Sequence, residues 1–149
     1  MTMPMSYGIG IAYRFSDNFT ISADIYKTLW NDFKFEKSSG EKVSPITGND
    51  TETDPTTWFR LGAEYLIVAE KIVIPIRAGI FYDPAPAKGS PDDYYGFSLG
   101  SGISWKWFSF DLAYQFRFGN NVGSSMFQDF DSYQDVREHR IYTSLIYYF

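Results

Sequence analysis

The sequence predicts an all-β protein. It reads as an antiparallel up-and-down meander of about seven strands of the transmembrane-barrel kind, with residues 1–149 as a single partial barrel domain. Three observations predict it. Apolar residues recur at every second position, which is strand geometry. The connections between these runs alternate between very short and long. Aromatic residues make up 20% of the chain, and many of them sit beside the short connections.

Taken in order, the first strand spans residues 4–15. Met5, Tyr7, Ile9, Ile11, Tyr13 and Phe15 alternate there with Ser6, Gly8, Gly10, Ala12 and Arg14. After the tight turn "SDN", the second strand covers 19–36. Lys27 falls in phase with Ile21, Ala23 and Ile25, on the apolar side. A rise of ~3.4 Å per residue and a tilt near 40° place it about 20 Å above Phe19, near the upper limit of an apolar band ~25 Å tall. It either snorkels to the interface from there or is turned inward by a bulge. The third strand, 56–68, sets Phe59, Leu61, Ala63, Tyr65 and Ile67 against Trp58, Arg60, Gly62 and Glu64. The turn "EK" leads into the fourth, 71–83, where Ile72, Ile74, Ile76, Ala78, Ile80 and Tyr82 oppose Val73, Pro75, Arg77, Gly79, Phe81 and Asp83. The register about that turn sets Glu64 nearly opposite Arg77, about 5 Å away on one face. The fifth strand, 94–105, is rich in small residues, and "KW" joins it to the sixth, 107–118. There Phe108, Phe110, Leu112, Tyr114, Phe116 and Phe118 oppose Ser109, Asp111, Ala113, Gln115 and Arg117. The seventh, 136–149, ends in "LIYYF". "DSYQDVREHR" is the one stretch compatible with a short helical turn.

The short connections fall at one end of the sheet. The long ones, "SSGEKVSPITGNDTETDP", "PAPAKGSPDD" and "GNNVGSSMFQDFDSYQ", fall at the other, as in outer-membrane barrels. A soluble sheet over a core gives a similar alternation. Two features favour lipid instead: the apolar face carries the bulky side chains while the other carries Gly, Ala and Ser, and Phe15, Phe19, Tyr65, Trp105, Trp107, Tyr147 and Phe149 gather near the tight turns like an interfacial girdle.

Composition narrows the chemistry. A net charge of −5 leaves no overall basic footprint for nucleic acid. With no cysteine and one histidine, His139, thiolate sites, His-rich metal sites and catalytic triads are not expected, nor is a cofactor. "GSGIS" has glycines but no following helix to cradle phosphate. An enzyme is not expected.

The order of motifs resembles the C-terminal half of the outer-membrane long-chain fatty-acid and hydrocarbon transporters (FadL/TodX-like). "MSYGIGIAYRFSDNFTISADIYKTLWNDF" is similar to the family's glycine-bearing strand, tight turn and long strand. "WFRLGAEYL" resembles its Arg-x-Gly strand. "IRAGIFYDPAPAKGSPDDYYGFSLGSGISW" resembles its aromatic-Asp strand end, Pro-x-Pro loop, Pro-Asp pair and small-residue strand. "FDLAYQF" and the last strand complete the likeness. The resemblance implies half of a 14-stranded barrel in the bacterial outer membrane, among lipid and lipopolysaccharide, with the hatch, the signal peptide and the N-terminal barrel half absent. It implies passive uptake of hydrophobic small molecules such as long-chain fatty acids or aromatic hydrocarbons. A small structural or lipid-binding barrel without a transport role is the alternative. The terminal Leu145, Tyr147 and Phe149 resemble the signal read by the barrel assembly machinery. Seven strands alone are expected to stay open, with the first and last unpaired.

Alternation puts Arg14, Arg60, Arg77, Arg117 and Arg140 on the inner face with Asp24, Glu64, Asp83 and Asp111. One reading is a ladder of ion pairs bracing the lumen. The other is that an arginine meets a ligand carboxylate through its bidentate fork. Trp30, Trp58 and Phe81 are the candidates for apolar ligand contact, or simply pack the lumen. Glu52, Asp54, Asp92, Asp93, Asp129 and Asp131 belong to the loops, as solvated surface or as sites of calcium bridging to lipopolysaccharide.

Overall fold

Period-two runs of Ile, Tyr and Phe are extended where the alternation is regular and break where it lapses. The computed structural model describes residues 1–46, 53–86, 92–122 and 134–149. Its strands are β1 (Ser6–Ser16), β2 (Phe19–Thr28), β3 (Phe35–Glu36), β4 (Lys42–Val43), β5 (Thr56–Val68), β6 (Ile72–Tyr82), β7 (Tyr95–Trp105), β8 (Phe108–Val122) and β9 (Gln134–Tyr147). Seven of them form one antiparallel sheet in the order β1-β2-β5-β6-β7-β8-β9, and β3 and β4 make a separate small hairpin.

Each main strand pairs with its neighbours in the chain, so the sheet is a meander with β1 and β9 as open edges. Because the sheet has seven strands, these two edges run the same way, both toward the tight turns. The tight turns are tied together. Asn18 Nδ2 donates to the Leu66 carbonyl at 2.7 Å, and the Leu66 N–H donates to the Asn18 carbonyl at 2.8 Å. At the far side the Tyr148 N–H donates to the Trp107 carbonyl at 2.8 Å.

Register carries the two faces across the whole width. Ile9, Ile25, Phe59, Tyr82, Tyr95 and Phe118 form one continuous apolar row. A sheet in water covers such a face with a second layer. Here Ile9 is 70% exposed and Leu145 72%, and apart from Pro75 and Pro84 the only buried apolar side chains among the described residues are Val43 and Val122. Among the described residues, therefore, no protein layer covers the large-residue side of the sheet.

Several expectations are corrected. The second strand ends at Thr28, not at residue 36. Alternation fails at Leu29 and Trp30, two large apolar residues in succession, and Asn31 and Asp32 supply turn chemistry. A 3-10 turn, Trp30–Asp32, follows, closed by the Phe33 N–H on the Trp30 carbonyl at 3.0 Å. The "DSYQDVREHR" stretch is not helical over residues 134–140, which belong to β9. Val136, Glu138 and Arg140 pair there with Gly119, Arg117 and Gln115, bonds that a helical turn would forfeit. Residues 131–133 of that stretch lie outside the described residues, as do Glu52, Asp129 and Asp131 of the loops. β8 is longer than expected and reaches Val122, because β9 begins early enough to pair with it. Lys27 stays on the apolar face. The register of β2 is unbroken from Phe19 to Thr28, so no bulge turns it, and it stands one residue from the strand's long-loop end.

The β8–β9 register shifts between Gly119 and Val122, where Asn121 has φ 53°. Asparagine tolerates this left-handed conformation, and its N–H donates to Asp135 Oδ1 at 3.2 Å. Asn121→Val is expected to cost about 1–2 kcal/mol in detergent unfolding, and Asn121→Gly much less. Equal losses would assign the effect to the side chain rather than to the backbone.

Candidate functional site

The polar face is concave, enclosing about 800 Å³ between β2 and β9. Its floor is β7, where Gly96, Ser98, Gly100 and Gly102 leave almost no side-chain volume. Long side chains from the flanking strands lie across this floor.

Arg77 of β6 stands opposite Glu64 of β5, and its Nε donates to Glu64 Oε2 at 2.7 Å. Its Nη1 reaches the other way and donates to Asp111 Oδ1 on β8 at 2.6 Å. β6 and β8 are about 9.5 Å apart, two strand spacings. The reach is open because Gly100 and Gly102 stand between them: Gly100 is opposite Arg77, and Gly102 is opposite Asp111. A Cβ on Gly102 would overlap the Asp111 carboxylate.

A second bridge crosses β7 in the opposite sense. Arg117 of β8 is opposite Gly96, and its Nη2 lies 3.2 Å from Asp83 Oδ2, just past the end of β6. Its Nη1 lies 3.6 Å from Glu138 Oε2 on β9, and its guanidinium carbon sits 3.7 Å from the centre of the Tyr94 ring. Desolvation pushes the Tyr94 phenol above its ordinary range, against the opposing charge of Arg117. Phe81 fills the room above Gly96, where any Cβ would overlap its ring. Arg140 is held by Glu138 two residues away on its own strand, and the Tyr142 hydroxyl donates to Gln115 Oε1 at 3.0 Å.

The other half of the face differs. Asp24 and Arg60 stand opposite each other in register yet form no ion pair. Arg60 lies over the Trp58 ring, 5.6 Å from its centre. Trp58 packs against Tyr26 with ring centres 5.8 Å apart, and its buried Nε1 has no hydrogen-bond partner among the described residues. Arg14, opposite Thr20 near the tight turn, makes no ion pair among the described residues. Trp30 lies off the strand. It sits in the 3-10 turn at the long-loop end, where its Nε1 donates to Thr56 Oγ1 at 2.9 Å.

Sequence reasoning missed Glu138, the carboxylate shared by Arg117 and Arg140. A signal existed, since Glu138 and Arg140 are two apart and so share a face in any strand. Among the described residues, no group of three or more His, Asp or Glu side chains is arranged to hold a metal ion. Asp93 accepts the Tyr82 hydroxyl instead.

Arg77 and its two partners are half-exposed, so each pair contributes at most about 1 kcal/mol in water. Arg77→Ala is expected to destabilise by that order, and pairing it with Glu64→Ala should recover part of the loss. Gly100→Val should remove the Arg77–Asp111 coupling in a double-mutant cycle while leaving the Arg77–Glu64 coupling. Undiminished coupling to Asp111 would show that the bridge needs no glycine floor.

Set against known protein families and curated proteins, the chain matches none, so its functional reading rests on this geometry.

Proposed function

We propose that this sheet is an arc of an outer-membrane β-barrel, about half of a 14-stranded wall, and that the barrel is a channel for passive uptake of hydrophobic small molecules such as long-chain fatty acids or aromatic hydrocarbons. The observation that carries the proposal is the uncovered apolar face. Its bulky side chains lie in register from β1 to β8, with Ile141, Leu145 and Tyr147 continuing the face on β9, and no protein layer among the described residues lies over them. A hydrocarbon solvent meets that need directly. Lys27 at the long-loop end and Trp105 and Trp107 at the tight-turn end mark the two interfaces. The polar face then lines the lumen. Its occupied arginines, Arg77, Arg117 and Arg140, brace the wall, while Arg14 and Arg60 remain able to meet a passing polar head group.

Two edges running the same way set a rule for closure. An antiparallel barrel has an even number of strands, so seven must be completed by an odd number.

A specific observation favours a second reading. The apolar face also carries a groove of about 820 Å³, lined by Ile9, Ile25, Phe59, Ile80, Phe97 and Phe118. Were this face turned inward, the protein would be a lipid-binding barrel without a transport role.

Fluorescence separates the two. In single-tryptophan variants in bilayers with brominated acyl chains, Trp105 is expected to be quenched and Trp58 spared. Quenching of Trp58 with Trp105 spared would favour the lipid-binding barrel. Uptake of an apolar fluorescent solute by cells carrying the completed barrel then tests the channel itself, and uptake equal to that of cells lacking it would refute it. Phe149 is fully exposed beyond the end of β9. If the assembly machinery reads it, its deletion should lower outer-membrane abundance at unchanged synthesis, and equal abundance would exclude that role.

A further inference from the structure

The free edge at β1 repeats an arrangement that is complete at β7. β7 carries Gly100 and Gly102; β1 carries Gly8 and Gly10 at the same spacing, and both strands run toward the tight turns. On the following strand, Asp111 stands opposite Gly102, with Oδ1 only 2.6 Å from where a Cβ would be. Asp24 stands opposite Gly10 in the same way, its Oδ1 leaning over the glycine. Asp111 receives Arg77, which comes from the preceding strand, opposite the first glycine of the pair. Asp24 is exposed, and no hydrogen bond or ion pair reaches it among the described residues. No strand among the described residues pairs with the outer side of β1.

We propose that the β1 edge takes an antiparallel strand bearing an arginine level with Gly8 on its polar side, whose guanidinium reaches over the two glycines to the Asp24 carboxylate. Charge fixes the sign of the partner, and the distance across β1 favours the long forked side chain. One difference supports arginine further. Opposite Gly100 stands Ala113, but opposite Gly8 stands Tyr26, whose ring lies over the glycine. It offers the incoming guanidinium an aromatic face, as Tyr94 does for Arg117. A second copy of this chain standing beside the edge with its tight turns at the same end does not meet the requirement. Turned about an axis along the strands, it presents β9 parallel to β1, and the Arg140 of that strand is already held by Glu138.

The test uses the full chain in detergent micelles and synthetic strand-length peptides of alternating apolar and polar residues. The central polar position is Arg, Gln or Glu. The Arg peptide is expected to bind about tenfold tighter than the others, as one charge-assisted pair allows, and to slow amide exchange in β1 but not in β9. Asp24→Asn should abolish the preference and Asp24→Glu should keep it. Equal binding of the three peptides, no binding of any, protection confined to β9, or a β1–β9 cross-link between two copies would each overturn the proposal. The inference concerns the edge alone. Persistence of the arginine preference with Trp105 unquenched by brominated lipid would remove the transport reading and leave this one standing.

Discussion

Arginine side chains laid over a strand of glycines and serines tie the polar face together. β7 gives up its own side-chain volume, and two cations cross it in opposite directions, Arg77 toward β8 and Arg117 toward β6. Each crossing locks three strands at once, which a pair between adjacent strands cannot do. The arrangement also explains where bulk is placed. With the inner side thinned at β7, the large residues of that strand, Phe97, Leu99, Ile103 and Trp105, all stand on the other face. A Cβ at Gly96 or Gly102 would meet a ring or a carboxylate already in place. Each of these charges has its partner across the glycine strand, which makes the positions interdependent.

The face divides into two regions. From β6 to β9, carboxylates and guanidiniums are paired, with Glu138 serving two arginines. From β1 to β5, Arg14 and Asp24 are without ion pairs among the described residues, and Arg60 has only an indole beneath it. One half is tied by ion pairs, and in the other the charged side chains named here are not. The ion-pair ladder expected of these charges is thus present from Glu64 to Arg140 and does not extend to Arg14 or Asp24.

Most of the sheet was legible from alternation because strand pairing across tight turns has little freedom. The turn at Glu70 and Lys71 leaves one register that keeps Ile74 and Ile67 on the same side, and that register places Glu64 opposite Arg77. Two kinds of feature were not legible. Asp111 lies 34 positions from Arg77 and on a strand that does not pair with β6. No local period reports such a contact; it follows only from knowing that glycines lie between. The end of β2 was also hidden. Leu29, Trp30 and Phe33 look like more strand by propensity, yet the backbone turns there to hydrogen-bond with itself. The Glu138 pairing was obscured because its polar segment suits either a helical turn or a strand.

The meander has a consequence for how such a wall forms. Three of its six seams are tight hairpins, joined through Asp17 and Asn18, through Ala69 to Lys71, and through Lys106 and Trp107. Each can zip from its own turn, at a small loss of chain entropy. The arc can thus be built from units that need no knowledge of the rest. On the barrel reading, the step that differs in kind is the capture of the two outer edges, whose like direction prevents them from satisfying each other in antiparallel fashion. Until that capture, two rows of backbone donors and acceptors remain open, a state that hydrocarbon penalises and water tolerates. If the sheet is an arc of a barrel, as proposed above, the timing of membrane entry is linked to the pairing of these edges, and a sheet at the membrane surface with its edges open is the natural intermediate.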